Sequence, residues 1–579
     1  MKNIRFAILI LILLPVSSCE DDFLDLKPLD SISEANVWED LNLIELYVND
    51  RYNELPHGFP QWAGGLRMTG ITDESYHMHE ARFLDKYTQG GLTSGSLNMY
   101  YFNGFWLDAY KAIRNQNIFL ENIDRYEPNT GEEDRVRQLT AEIRFLRAYF
   151  YTELISRYGG VPLITTTFNV NSNFDVPRAS FDDCVEFIVN ELDEAIVDLP
   201  NRGDAIGASF GRITKGAAIG LKIRALMFNA SPLFNVANDI SKWQQVADAC
   251  EELFNLSQYT LSSDYQGLFL NPMDSEVIFF KQFLDQFGFE LVDEPSDFYF
   301  HYRGGHNINE WRFPNGDGGW ISENPRQEFI DQYETVSGHI PVLGYTGAPN
   351  NLQPIINPNA NDYNPNNPYQ NRDPRLRYSV LYDNTEFKGR NLEMWTGGKD
   401  SRDPNVDFWW NGHRLGYGIR KSLDESWNLN DGVSGGQPWI YMRLSEFYLT
   451  YAEAQYHLGN YSTAVTYINQ IRQRPGVNMP PINSSGDLLQ KIKHERKIEL
   501  AFESNRWYDA RRWLDAEVDF AKDIIAVEPI NNPSTGTRSY RYFYFEGGTG
   551  NRSFPQSHYL WPIPIEEILK SNLQQNPGY

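Results

Sequence analysis

The chain has 579 residues and is strongly acidic: 51 Lys and Arg stand against 77 Asp and Glu, a formal net charge of −26 at pH 7. That balance repels nucleic acid and anionic lipid, so no nucleic acid partner is expected. Three cysteines give no disulfide framework, and at 14% aromatic the chain is rich in flat faces, although part of that content must build the core.

At the N-terminus, Lys2 and Arg5 precede an uncharged apolar run, Phe6 to Leu14. It is far shorter than the ~20 residues that span a bilayer, so it reads as a signal peptide over residues 1–18. The run ends in Leu14-Pro15-Val16-Ser17-Ser18-Cys19, small residues leading directly to a cysteine. A lipoprotein signal needs a thiol at that point, so Cys19 is the expected site of lipidation and the link to the membrane. Acyl chains contribute roughly 0.8 kcal/mol per buried methylene, and two or more anchor stably. The mature chain 19–579 then opens with an acidic stretch, Glu20, Asp21, Asp22 and Asp25.

Residues 19–270 read as a helical part. Apolar positions Val136, Leu139, Ile143, Leu146, Phe150 and Leu154 recur at steps of three and four, one face of a helix over 135–158, which Gly159-Gly160 ends. Phe181–Leu199 and Arg212–Ala230 read as further helices, the second closed by Ser231-Pro232. Cys184 and Cys250 lie in helical runs, as small buried thiols do. Between 271 and 437 the helical signal lapses into a long loop-rich insertion, with an Asn- and Pro-dominated stretch at 349–374 that favours successive turns. Val277–Phe280 and Tyr378–Tyr382 read as short strands within it. In the C-terminal part, 438–579, Ile440, Leu444, Phe447, Tyr451, Ala454 and Leu458 restore the helical step, and Gly459-Asn460 turns the chain into a return helix. A helix–turn–helix repeat of about 34 residues and a plain bundle both fit this pairing.

Motifs for catalysis and metal binding fail in turn. His494-Glu495 is followed at i+4 by Ile498, so the zinc-protease pattern is absent. Gly91-Leu92-Thr93-Ser94-Gly95 has no serine at the centre of a nucleophile elbow. His77 and His79 make an incomplete zinc pair, so no metal is expected. The Asp- and Asn-rich loops could hold a structural calcium, though no spacing specifies it, and no other cofactor is implied. Glu495, Glu499 and Glu503 recur at four-residue steps with Arg506, Arg511 and Arg512 close behind. Paired carboxylates can serve glycoside hydrolysis, but basic neighbours lower their pKa, the opposite of what a general acid needs. The cluster therefore reads as scaffold, as do Arg144 and Arg147 with Glu142 and Glu153.

Several segments go beyond composition. Ala141 to Tyr151, running on through Arg157-Tyr158-Gly159-Gly160-Val161-Pro162-Leu163-Ile164, closely resembles the signature helix and turn of the SusD/RagB family. Lys215–Ala218 through Ala230–Asn235, Arg443–Glu446 with Tyr451–Ala454, and His494–Glu503 with Arg506–Asp509 and Arg511–Trp513 resemble its later helices. The chain also closes as the family does, with Leu560-Trp561-Pro562-Ile563-Pro564 and a terminal Gln575-Asn576-Pro577-Gly578-Tyr579. The resemblance implies a mainly α, tetratricopeptide-like superhelix with a loop-rich irregular insertion. It implies a lipoprotein without catalytic activity on the outer membrane of a Bacteroidetes-type cell, facing outward; the acidic stretch after Cys19 resembles the group's surface-export signal. It further implies capture of oligosaccharide or polysaccharide for a SusC-like TonB-dependent transporter, with a peptide-binding RagB-like member as the alternative. An all-α glycoside hydrolase or lyase is a more distant one.

A sugar presents an apolar C–H face and a rim of hydroxyls, so its site should combine Trp or Tyr platforms with Asp, Asn, Arg or Gln. Two stretches fit, and both correspond regionally to ligand contacts in starch-binding members. The first, Asp73 to Asn98, holds Asp73, Tyr76, His77 and Tyr87. The second, Tyr299 to Trp320, holds Tyr302, Arg303, Asn309, Trp311 and Trp320. Trp320 reads equally well as core; Trp311, among polar turn-forming neighbours, is the better platform. Trp395, Trp409, Trp410 and Trp439 form a third aromatic group.

Overall fold

The apolar steps of three and four are realised as a succession of neighbouring helices in a computed structural model. It describes residues 34–579 apart from 59–67, 78–86, 96–102, 170, 173, 205–209, 284–289, 292–299, 302–307, 309–311, 402–412, 429–434 and 546–551. Cys19, Tyr302, Arg303, Asn309, Trp311, Trp409 and Trp410 lie outside the described residues. In chain order the first helices are α1 (Glu34–Val37), α2 (Leu41–Arg51), α3 (Asn103–Asn122), α4 (Glu133–Tyr158), α5 (Phe181–Asp198), α6 (Lys215–Ala230) and α7 (Ile240–Asn255). After the insertion come α8 (Leu444–His457), α9 (Tyr461–Arg472), α10 (Leu488–Glu499), α11 (Asn505–Arg512) and α12 (Ile565–Ser571). From α3 to α9 each helix packs on the next in sequence, with α7 meeting α8 across the insertion. That order is what stacked helix pairs produce, and the fold is mainly α and tetratricopeptide-like.

Local chemistry sets the helix ends. Ser180 and Asp183 form a reciprocal capping box on α5, and the Thr214 hydroxyl accepts from the Ala217 N–H, so α6 starts at Lys215 rather than Arg212. Gly159, at φ +74, stops α4 in the left-handed region. The glycines of α6 serve close packing: a Cβ at Gly220 would stand 2.8 Å from the Phe447 ring on α8. Cys184 and Cys250 are buried free thiols. Among the described residues no helix is long and apolar enough to cross a membrane.

The strands include β1 (Ser75–His77), β2 (Val277–Lys281), β3 (Glu323–Pro325), β4 (Val342–Ala348), β5 (Asn351–Ile356), β6 (Val380–Leu381), β7 (Gly418–Ile419), β8 (Trp439–Arg443), β9 (Ile525–Asn531) and β10 (Arg538–Tyr544), beside four two-residue strands within the insertion. β1 pairs with β3, β2 with β8 and β6 with β7, and a four-stranded sheet runs in the order β9-β10-β5-β4. Three expectations are corrected. Ile440 lies in β8 opposite Phe280, so the helical step begins only at Leu444; burial on every residue of β8 hides the alternation that would have marked a strand. Of the strand expected over Tyr378–Tyr382, only Val380–Leu381 is strand, β6, because Tyr378 and Ser379 end a short helix, Pro374–Ser379. The C-terminal part carries the β9–β10 hairpin as well as helices, and Tyr542 of β10 pairs with Leu352 of β5, so this part shares a sheet with the insertion.

Candidate functional site

A small hydrophobic core lies in the insertion beneath the candidate surface. Phe313, Ile321, Leu381, Phe387, Leu392, Met394 and Leu423 are buried together, with Trp427 packed against them. Trp320 directly precedes Ile321 and Trp395 directly follows Met394, and both are half-buried. The Arg538 guanidinium lies 3.7 Å from the centre of the Trp395 ring, a stacked cation that fixes one indole face. The turn ahead of Trp320 is tightly held. Gly318 sits at φ +82, and the Gly316 N–H donates to Asp400 at 3.1 Å. Arg390 bridges Asp317 at 2.5 Å and Asp400 at 2.6 Å. Burial alone would raise the Asp400 pKa, but the hydrogen bonds from Arg390 and the Glu393 N–H hold it below its usual value. Two half-exposed indoles thus adjoin in sequence one buried core and the turn held by the Asp317–Arg390–Asp400 bridge. A carboxylate pair shared by one arginine suits hydrogen bonding to hydroxyls rather than proton delivery.

The first predicted stretch is interior instead. Asp73, Tyr76, His77 and Tyr87 are all buried, at 6%, 6%, 1% and 1% exposure. Asp73 accepts from Lys497 at 2.6 Å and from Arg506 at 2.8 Å, partners more than four hundred residues away in sequence. Burial opposes that charge, yet Arg506 and Lys497 hold the carboxyl far below the usual range. Tyr76 lies in β1 with its ring edge-on to Phe545. His77 occupies the same strand opposite Glu323, which removes it from any solvated metal pair. The Tyr87 hydroxyl accepts from the Trp507 indole at 2.9 Å. Asp73 and Tyr87 tie the N-terminal part to the C-terminal helices α10 and α11, and His77 ties it to the insertion. Of the predicted platforms, only Trp320 is both described and partly open. Trp395, a member of the third aromatic group, is likewise partly open, while Trp439 is buried in β8.

Beside Asp73, Glu74 is fully buried and accepts from the Phe502 N–H at 2.8 Å. Burial, reinforced by the Asp73 charge, raises it from 4.5 to about 8 despite that hydrogen bond. A raised folded pKa contributes stability that is complete below the unfolded value and is lost as pH rises through about 8. Glu74→Gln, which keeps an acceptor and never ionises, is therefore expected to melt near the parent at pH 5. It should melt progressively above the parent toward pH 9 in scanning calorimetry. Parallel pH profiles would show that Glu74 does not carry this proton.

The Glu495, Glu499 and Glu503 cluster is an ion-pair network, as expected, but with other partners. Arg375 bonds Glu495 at 2.6 Å and Glu499 at 2.9 Å. Arg472 bonds Glu495 at 2.7 Å, and Arg474 bonds Glu499 at 2.5 Å. Glu503 lies beyond the end of α10, past Phe502 at φ +62, where it meets Arg443 and Lys421. Burial would raise Glu495, Glu499 and Glu503, but the surrounding cations hold each below its ordinary value. Arg506 serves Asp73, Arg512 serves Glu453 at 2.6 Å, and Arg511 caps main-chain carbonyls. Arg144 and Arg147 bind Glu191 on α5 rather than Glu142 or Glu153. Among the described residues, no group of three or more His, Cys, Asp or Glu side chains is arranged to hold a metal ion.

Comparison with known proteins places this architecture. Residues 275–579 match the model of the SusD family, and residues 22–225 match a model described as starch-binding and associating with the outer membrane. A SusD-like protein of Formosa agariphila, P38, is 23% identical over 100% of this chain and 99% of its own length. Another from that organism, P25, is 24% identical over 82% of this chain and 77% of its own. A solved SusD-like protein from Bacteroides fragilis superposes with a TM-score of 0.74 at 28% identity, covering 96% of this chain and 100% of that one. A SusD-like carbohydrate binding protein from the same species gives a TM-score of 0.73 at 24% identity, over 93% and 99%.

Proposed function

The chain belongs to the SusD family, and we propose that it is a lipid-anchored outer-membrane protein that binds glycan and passes it to a SusC-like TonB-dependent transporter, without catalysing a reaction. The observation that carries the reading is that Trp320 and Trp395, both half-exposed, adjoin in sequence one packed core and the Asp317–Arg390–Asp400 bridge. Rigid aromatic faces bordered by hydrogen-bonding groups bind pyranose rings, whose axial hydrogens form an apolar patch. The family description and the carbohydrate-binding relative in Bacteroides fragilis support the ligand class and the outer-membrane association. The lipoprotein signal ending at Cys19 supports the anchor. Absence of chemistry is supported by the ion-paired state of the carboxylates at the site and in the α10 cluster. The reading calls for no cofactor.

The test is affinity electrophoresis of the acyl-free mature chain, residues 20–579, through gels containing a panel of polysaccharides. Retardation in at least one glycan, with no new reducing ends after prolonged incubation, is expected. New reducing ends would make the protein an enzyme. Free migration in every gel would overturn the glycan reading, and titration against a peptide library would then decide for the peptide-binding alternative.

A further inference from the structure

The chain segments leading to Trp320 and around Trp395 meet at Gly316. Trp395 lies in a closed turn over residues 393–400, where the Gly398 N–H donates to the Trp395 carbonyl at 2.8 Å. The Asp400 N–H donates to the Glu393 carbonyl at 3.0 Å and completes the closure. Lys399 stands on the return limb of this turn, and its stem packs on the Gly316 backbone. A Cβ at Gly316 would lie 2.9 Å from the Lys399 Cγ and 2.4 Å from an Asp400 carboxylate oxygen, so the two segments approach too closely for a side chain there. Beside it, the Asn315 amide donates to the Ser401 carbonyl at 3.4 Å.

Lys399 is exposed, and its ammonium makes no ion pair or hydrogen bond among the described residues. The neighbouring arginines are matched: Arg390 with Asp317 and Asp400, Arg538 with Asp383, and Arg541 with Glu528. In each pair the carboxylate is the more buried partner. Asp400 and Asp383 are both 0% exposed, against 24% and 19% for their arginines, and Glu528 is 28% exposed against 43% for Arg541. Glu393, the acid of the turn, is half-buried and accepts from the Lys399 N–H at 3.1 Å. Acids thus lie inward and cations outward around Trp395, with one ammonium unmatched. A chain of net charge −26 repels polyanions at long range, so an acidic ligand is held where cations face solvent in this way.

We propose that the glycan taken by this surface is acidic, and that Lys399 determines the specificity by pairing with a carboxylate or sulfate ester on the sugar bound at Trp395. The inference rests on the glycan-binding reading and narrows its ligand class. Ionised oxygens form the stronger hydrogen bonds with an ammonium. Lys399 gives up no partner to make them, whereas Arg390, Arg538 and Arg541 would each have to release a carboxylate. A pair formed at the surface is screened by salt, so the preference for acidic sugars weakens as ionic strength rises.

The test is affinity electrophoresis of residues 20–579 in gels of uronate-bearing and sulfated polysaccharides. Each polymer is run beside its methyl-esterified or desulfated form, with neutral glycans in parallel. At least one acidic polymer is expected to retard the protein about fivefold more than its neutralised form does, the upper end of what an exposed ion pair contributes. Whether the uronate or the sulfate shows that advantage identifies the anion. Lys399→Gln should lose the advantage and bind the neutralised form as the parent does, while Lys399→Arg should keep it. Both variants should melt with the parent, because no ion pair is removed. Retardation by neutral glycans alone would overturn this inference and leave the glycan reading standing. Equal losses in Lys399→Gln on the acidic and neutralised forms would overturn it as well, since the lysine would then serve only to hold the turn. Free migration in every gel would remove both readings together.

Discussion

Arg443→Met is expected to destabilise the protein by about 3–5 kcal/mol, the loss seen when one partner of a buried ion cluster is removed. Arg443 stands where β8 becomes α8, fully buried, and every N–H of its guanidinium group is directed at an acceptor in this region. Nη1 reaches Glu276 at 2.7 Å and Glu499 at 2.6 Å, Nη2 reaches the Glu499 carbonyl and Glu503, and Nε reaches Glu503 at 2.7 Å. Removing it leaves three carboxylates, Glu276, Glu499 and Glu503, short of a cation in a site where none is more than 9% exposed. Arg474 and Lys421 remain but hold only part of that charge. Acidification should partly rescue the variant, because protonating the orphaned carboxylates removes the unpaired charge. Urea unfolding at pH 7 and pH 5 with an unchanged m-value measures both effects. A loss under about 1 kcal/mol would show that the cluster does not bear on stability as the geometry implies. Arg443→Lys, which cannot reach three carboxylates at once, should fall between.

What could be read from the chain and what could not follow from range. The helices of the N-terminal part repeat their apolar step within a few residues, so α4, α5 and α6 were legible to within a turn at each end. The decision that Glu495, Glu499 and Glu503 are ion-paired was also local, since basic residues crowd the same stretch. Their partners were not, because Arg375, Arg443 and Arg474 come from three separate places and only the folded chain brings them to α10. Asp73 to His77 misled for the same reason: Asp-Glu-Ser-Tyr-His reads as a solvated loop, but Lys497 and Arg506 neutralise Asp73 from beyond four hundred residues. Trp395 stands in the third aromatic group without a placement, because Glu393 to Lys399 carry no periodicity and its Arg538 neighbour belongs to a hairpin that no local signal joins to the insertion.

Trp320→Ala is expected to weaken glycan retardation by about thirtyfold, corresponding to the ~2 kcal/mol by which a central aromatic anchor commonly contributes to an interface. Trp320 is partly open, and its position is fixed by the Gly318 turn and the Asp317–Arg390–Asp400 bridge beneath it. Trp395→Ala should act in the same direction but less strongly, since Arg538 already covers one face of that ring. Trp427 separates binding from packing: it joins the same base and sits edge-on to Phe313 at 6.1 Å. Trp427→Phe should therefore lower Tm while leaving retardation nearly unchanged. Trp320→Phe keeps a flat apolar face and should retain most of the affinity, which a purely structural role for the indole would not predict. Comparable binding losses in the Trp320→Ala and Trp427→Phe variants, each tracking Tm, would mean that the insertion core and not an exposed platform governs the interaction. Loss confined to the Trp320 and Trp395 variants would place the sugar on the indole pair.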